Sequence, residues 1–317
     1  MNGPTPPGAD RTHAQPNPRH ADAARRWAPS PFIAGAAALH AGAAAALIAQ
    51  PATWPWAVGS VAGSHLALTA AGLWPRSALL GPNWTRLPAA SAASVTSVPG
   101  ADRRLALTID DGPDPEITPR VLDLLDEYGA HATFFCIGER ARQHPKWIEA
   151  IVARGHAVEN HSQRHRHTFS VSGPGALRRE IETAQRTLTD ISGTRPRFFR
   201  APAGLRNPFL EPVLCALGLQ LASWTRRGFD TRERDPQIVT RRLLTGLAPR
   251  DILLLHDANS ARDALGQPVV LAVLPQVLRA AAEAHYHWIT LRAALDAAPV
   301  TPVGHGGNAA PFGKIRP

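Results

Sequence analysis

A chain of 317 residues exceeds one average domain but is within reach of one barrel with an appendage. Hydrophobic residues make up 44% of it, which argues against wholesale disorder, while 30 Pro and 25 Gly point to non-globular sequence attached to a folded domain. The net charge of +9 at first suggests nucleic acid, but residues 105–298 hold 24 Lys/Arg against 22 Asp/Glu with no basic stripe interleaved with aromatics, so no nucleic-acid partner is expected.

Residues 1–30 are rich in Pro, Ala and Arg without periodicity, and read as a disordered basic N-terminus. From Trp27 to Pro75 there is no charged residue. The Pro-Trp break around Pro51–Trp56 divides this run into two stretches, 31–50 and 55–74, each of a length that crosses a hydrocarbon core of about 30 Å. Trp27, Trp54, Trp56 and Trp74 bracket the stretches as interfacial residues do. Residues 31–75 are therefore expected to form two transmembrane helices. The apolar run is too long for a signal peptide. Arg25, Arg26, Arg76 and Arg86 flank the pair, so the positive-inside rule favours a cytoplasmic-facing domain after the helices; a single span would reverse this.

Residues 76–103 read as a Pro/Ser/Ala-rich linker. Over 104–298, strand-like and helical runs then alternate. The strands are expected at 105–109, 133–137, 157–159, 197–200, 220–224, 252–255 and 288–291, with helices at 118–128, 145–154, 176–191, 236–247 and 269–285. Such alternation predicts an α/β fold, a parallel (β/α) barrel or open sheet. Cys136 and Cys215 sit in apolar runs and read as small buried hydrophobes. Two cysteines supply neither a disulfide framework nor a thiolate metal site. Residues 299–317 read as a flexible tail.

Four polar motifs follow strand ends, the edge where chemistry gathers in a parallel fold. The first is Thr108-Ile-Asp-Asp-Gly-Pro113. Its adjacent carboxylates, Asp110 and Asp111, need partners if buried. The second is His161-Ser-Gln-Arg-His165, whose histidines would share one face of a helical turn and reach one cation; His167 would not share that face. One Asp with these two His would leave a coordination position open for water. The third is Arg200-Ala-Pro-Ala-Gly204, a tight loop that can present N–H groups, with an arginine suited to a carboxylate. The fourth is Ile252-Leu-Leu-Leu-His-Asp257, which places His256 at the end of an apolar strand.

Taken in order, these motifs resemble those of the polysaccharide deacetylase family, the NodB-homology carbohydrate esterases. The set is completed by Trp224–Asp230, and it covers about residues 104–295. The resemblance implies a distorted (β/α) barrel of about seven strands and a metal-dependent carbohydrate N-deacetylase acting on an amino-sugar polysaccharide or glycan. It implies Asp110 as catalytic base, with Arg200 holding it, and Asp111, His161 and His165 as metal ligands. His256 would be the acid and Asp230 its charge partner. The N–H of Ala203, in the loop with Pro202 and Gly204, would meet the oxyanion. Leu254 would line the acetyl pocket, and Trp224 would line the substrate site. The implied cofactor is a divalent ion, Zn²⁺ first, with Co²⁺ or Ni²⁺ as alternatives. No protein partner is expected.

Two features depart from the family pattern. Position 203 is Ala where many members carry an aromatic. Arg226 and Arg227 interrupt the Trp/Asp segment and, with Arg206, could favour an anionic substrate such as a phosphate-linked sugar. Two other readings follow: a deacylase or deformylase of a lipid-linked sugar at the membrane, and an inactive carbohydrate-binding relative.

Overall fold

The computed structural model describes residues 26–89 and 102–298. The expected N-terminal disorder, up to residue 25, and the expected tail lie outside the described residues, as do residues 90–101.

The apolar run that opens the catalytic region becomes strand β1 (Arg104–Asp110), buried from Leu105 onward. A strand covered on both faces reads as a largely apolar run rather than an alternating one, and Leu105–Ile109 does so apart from the buried Thr108. Seven more strands follow: β2 (Ala132–Cys136), β3 (Ala157–Asn160), β4 (Phe198–Phe199), β5 (Gln220–Leu221), β6 (Arg226–Arg227), β7 (Ile252–His256) and β8 (His287–Trp288). They pair in the order β5-β4-β3-β2-β1-β7-β6, with β8 against the start of β1, and every pairing is parallel. The sheet curls into a half-barrel with helices around it.

The helices of this region are α3 (Ile117–Glu127), α4 (Gly138–Gln143), α5 (Pro145–Ala153), α6 (Pro174–Ser192), α7 (Leu210–Ala216), α8 (Pro236–Leu244), α9 (Val269–Glu283) and α10 (Leu291–Asp296). The longer ones present an apolar stripe to the sheet. Val121, Leu122 and Leu125 of α3 and Val270, Val273, Leu274 and Val277 of α9 join one core cluster with Leu107 and Leu253. Local chemistry sets their ends. Asp114 accepts from the Glu116 and Ile117 N–H groups just ahead of α3, and Asp235 caps α8 with Pro236 at its first position. Cys136 and Cys215 are both buried.

Ahead of the sheet stand α1 (Pro31–Ala49) and α2 (Trp54–Leu73), an antiparallel hairpin turned by Pro51–Thr53. Ser30 caps α1 through the Ile33 N–H. The His40 and His65 rings meet edge to face across the hairpin, with Nε2 atoms 3.3 Å apart. By length and composition, α1 is the one helix among the described residues apolar enough to cross a membrane. Two such helices were expected; Gly, Ser, Thr and His residues dilute α2. Ile48, Trp56 and Leu66 lie exposed on the hairpin.

The segment expected to be a linker is packed against the domain over residues 76–89. Trp84 bridges to Ala222 beyond β5, Arg86 bridges to Asp251 ahead of β7, and Leu87 is buried. The segment thereby covers the seam between the last strands. Arg206, buried in the loop after β4, donates its backbone N–H to Gly72 O and its guanidinium to Ser77 O and Gly81 O. The hairpin is thus tied to the rim of the strand ends.

Candidate active site and metal centre

Register brings the motifs together. Asp110 ends β1 opposite His256, which ends β7. On the other side, Cys136 ends β2 opposite Asn160, and Asn160 is opposite Phe199, so His161 and Arg200 leave their strands at neighbouring positions. Around the resulting cavity of about 240 Å³ lie Asp110, Asp111, His161, His165, Leu254 and His256, with Ala203, Gly204 and Trp224 on the far wall. Arg200, Pro202 and Asp230 are buried behind this surface rather than on it.

Arg200 organises the floor. Its Nη1 donates to Asp110 Oδ1 at 2.6 Å and to Thr108 Oγ1 at 2.8 Å, Nε to Ala222 O, and Nη2 to Ser223 O. The guanidinium also lies over the Phe135 ring, 4.1 Å from its centroid. Burial presses this guanidinium below its ordinary pKa and Asp110 raises it again. Removing one member of such a buried pair strands the other. Arg200→Met is therefore expected to cost about 3–5 kcal/mol of stability, read from denaturant unfolding of the purified protein.

Asp111 Oδ1 lies 3.3 Å from both His161 Nε2 and His165 Nε2. One donor atom from each of these three residues can be chosen so that all lie within 4.8 Å of one another. The donor chemistry suits a divalent ion. His161 donates Nδ1–H to Arg200 O at 2.8 Å, and a carbonyl can only accept, so Nε2 of the neutral ring keeps its lone pair. Burial, with His161 beside it, pushes the His165 imidazole down to about 4, so the His165 ring is neutral near pH 7. Burial raises the Asp111 carboxyl, but the His161 hydrogen bond and the neighbouring His161, His256 and His165 rings hold it below the usual carboxylate range. Three ligands of this kind fit a zinc-like ion with an open position.

The histidine pair converges for a different reason from the one expected. Residues 161–168 form a loop, not a helical turn. Ser162 and His165 both take positive φ, 65° and 50°, and the His165 N–H is held by Ser162 Oγ. His167 also reaches the cavity wall. Gly204, at φ 75°, lies where any β-carbon would strike Trp224 and Pro75.

His256 is fixed from behind. Its Nδ1 lies 2.9 Å from Asp230 Oδ1, and its backbone N–H donates to Asp230 Oδ2. Burial alone favours the neutral ring, yet Asp230, with Asp110 and Asp111 further off, raises its pKa to about 9. The ring faces the cavity as a cation through the neutral pH range.

The sequence reading gave no role to two residues of this centre. Asn259 donates Nδ2–H to Asp111 Oδ2 at 2.9 Å, which orients the carboxylate whose other oxygen faces the histidines. Asp257 is wholly buried beneath Gly112, where a β-carbon would collide with it. Burial pushes its carboxyl up to about 7, and Thr118 Oγ1 lies 2.5 Å away. Asp257 stood next to His256 in a motif already noted; Asn259 carried only the signal of a polar residue just past a strand end. Of the arginines read as possible anion contacts, Arg206 is consumed by the carbonyls of residues 72–81. Arg226 binds Asp251 at 2.5 Å and the Thr245 and Gly246 carbonyls. Arg227 remains on the cavity wall.

Comparison with known proteins identifies the family and the fold. The family described as polysaccharide deacetylase matches residues 97–222. A peptidoglycan-N-acetylglucosamine deacetylase of Bacillus cereus is 31% identical over 196 residues, covering 61% of this chain and 89% of that protein. The peptidoglycan-N-acetylglucosamine deacetylase PgdA of Listeria monocytogenes is 33% identical over 171 residues, covering 53% of this chain; the chain spans only 36% of that longer protein. Among solved structures, a family 4 carbohydrate esterase from Streptomyces lividans in complex with acetate superposes with a TM-score of 0.53 at 28% identity, covering 58% of this chain and 91% of that one. The chain belongs to the polysaccharide deacetylase family.

Proposed function

We propose that the chain is a metal-dependent hydrolase that removes the N-acetyl group from an amino sugar within a glycan. One observation carries the reading. Asp110 and His256 end adjacent strands in register and flank the Asp111, His161 and His165 cluster. The names of the Bacillus and Listeria relatives support an N-acetylglucosamine-type substrate.

Asp111, His161 and His165 would hold the ion, which supplies Lewis acidity that brings the pKa of a water from 15.7 toward about 7. Asp110 takes the proton of the attacking water. Its Oδ1 is occupied by Arg200, so the task falls to Oδ2, which lies 3.8 Å from His161 Nε2. The backbone N–H of Ala203 serves the developing oxyanion. Protonated His256 gives its Nε2 proton to the departing nitrogen as the C–N bond breaks, leaving acetate and a free amino sugar; Nδ1 stays with Asp230. Leu254, on the cavity wall, offers an apolar surface to the acetyl methyl. Residues 31–75 attach the chain to a membrane, a reading supported by the length and composition of α1 and the exposed apolar surface of the hairpin.

Removing the ion with a chelator is expected to abolish acetate release from chitin oligomers, and Zn²⁺ to restore it. A second readout is independent of turnover: Co²⁺ should give the visible absorption of a low-coordinate site, and Asp111→Ala should remove it. Full activity in protein shown to be ion-free would refute the reading.

A further inference from the structure

The catalytic cavity has a basic neighbour that the hydrolysis does not use. A groove of about 650 Å³ runs from the end of α2 to the catalytic pocket and shares Trp224 and Arg227 with it. Four arginines line the groove, and two are neutralised: Arg226 by Asp251 at 2.5 Å and Arg242 by Glu233 at 3.2 Å. Arg76 donates to Thr225 O, and no carboxylate among the described residues pairs with it or with Arg227. Arg227 lies over the rings of Trp224 and Phe229, 5.2 and 5.0 Å from their centroids. Its Nε is buried with no hydrogen-bond partner among the described residues. A buried guanidinium nitrogen left unbonded is costly unless a ligand completes it.

At its far end the groove meets Trp74. Trp74 also lines an apolar groove of about 630 Å³ between α2 and the following turn, with Phe32, Ala67, Ala71 and Leu79. From the hairpin inward the surface is therefore apolar, then cationic, then catalytic. That sequence matches a molecule made of a hydrocarbon chain, a phosphate and an amino sugar. Guanidinium groups suit phosphate oxygens as bidentate donors.

We propose that Arg227 and Arg76 form a phosphate subsite, and that the substrate is an N-acyl amino sugar joined through a phosphate or diphosphate to a lipid whose chain lies along the apolar groove. This rests on the deacetylase reading and narrows its substrate class. The hairpin then has a second task, since it presents the lipid-bound sugar to the strand ends from the membrane side.

The test uses the full chain in lipid nanodiscs and follows acetate release from three probes: farnesyl-phosphate-linked N-acetylglucosamine, N-acetylglucosamine 1-phosphate and chitotetraose. The lipid-linked probe is expected to show the highest kcat/KM. Arg227→Gln and Arg76→Gln are each expected to lower the ratio of its kcat/KM to that of chitotetraose by about tenfold, through KM, as loss of a charge-assisted contact implies. Arg227→Lys should recover most of the loss. An unchanged ratio in both glutamine variants, with thermal unfolding like that of the parent, overturns the phosphate subsite. Equal kcat/KM for the lipid-linked and soluble phosphates overturns the lipid groove. Turnover of chitotetraose without turnover of the lipid-linked probe overturns the inference and leaves the deacetylase standing. No acetate from any probe removes the deacetylase reading and the inference with it.

Discussion

Asp110→Asn is expected to lower acetate release by about 10²–10⁴-fold, the usual contribution of a positioned general base, while the protein still takes up its ion. The argument turns on which groups each carboxylate oxygen meets. Asparagine keeps an oxygen for the Arg200 Nη1 bond, and Arg200 retains Thr108 Oγ1, Ala222 O and Ser223 O, so the floor survives. What disappears is the basic Oδ2. The ion cluster uses Asp111, His161 and His165, none of which changes. Some weakening of ion affinity is expected, because a negative charge near the cluster is gone. Ion content and Co²⁺ absorption, measured beside turnover, separate the two roles. Complete loss of the ion would place Asp110 among the ligands; retained turnover would deny it the role of base.

Why these residues could be found from sequence, and others not, follows from how a parallel sheet is built. Its central strands are buried on both faces, so Leu105–Ile109 is apolar but for Thr108 and Ile252–Leu255 is apolar throughout, and the carboxylates and histidine that follow them mark the edge where the candidate site lies. Asp110, Asp111 and His256 were legible for that reason. The edge strand β6 consists of Arg226 and Arg227, half-buried and with no apolar residue, and gives no such signal. The short helices α4, α7 and α10 were missed because six or seven residues hold too few turns for a period to show. Residues 76–89 have a linker's composition, yet pair through backbone groups that any residue offers, with Leu80, Trp84 and Leu87 as apolar anchors and Arg86 paired to Asp251. The histidine loop brings His161 and His165 together as expected, but not in the expected conformation. Positive φ at Ser162 and His165 is a demand of the tertiary structure, and neither residue type announces it.

The second large effect is expected at Asp230, and its signature is a shift in pH dependence rather than a simple loss. His256 acts as an acid only while protonated, so activity falls as pH rises through its pKa. In the native protein Asp230 supports a value of about 9, against burial, which pulls the other way. A bound divalent ion offsets the share contributed by Asp110 and Asp111, so in the loaded enzyme the alkaline limb lies at or below that value. Asp230→Asn removes the leading favourable charge and leaves the burial, so the pKa falls and the limb moves to lower pH. A shift of at least about one unit is expected, since each unit corresponds to only 1.36 kcal/mol of lost interaction. At pH 8 the variant should lose much of its rate, and at pH 6 it should recover part of it. Asparagine can still accept from the His256 N–H, but its amide group then faces Nδ1 and cannot stabilise a cation there. The kcat/KM profile from pH 5 to 10 checks this. An alkaline limb unmoved by Asp230→Asn would mean that a group other than His256 delivers the proton.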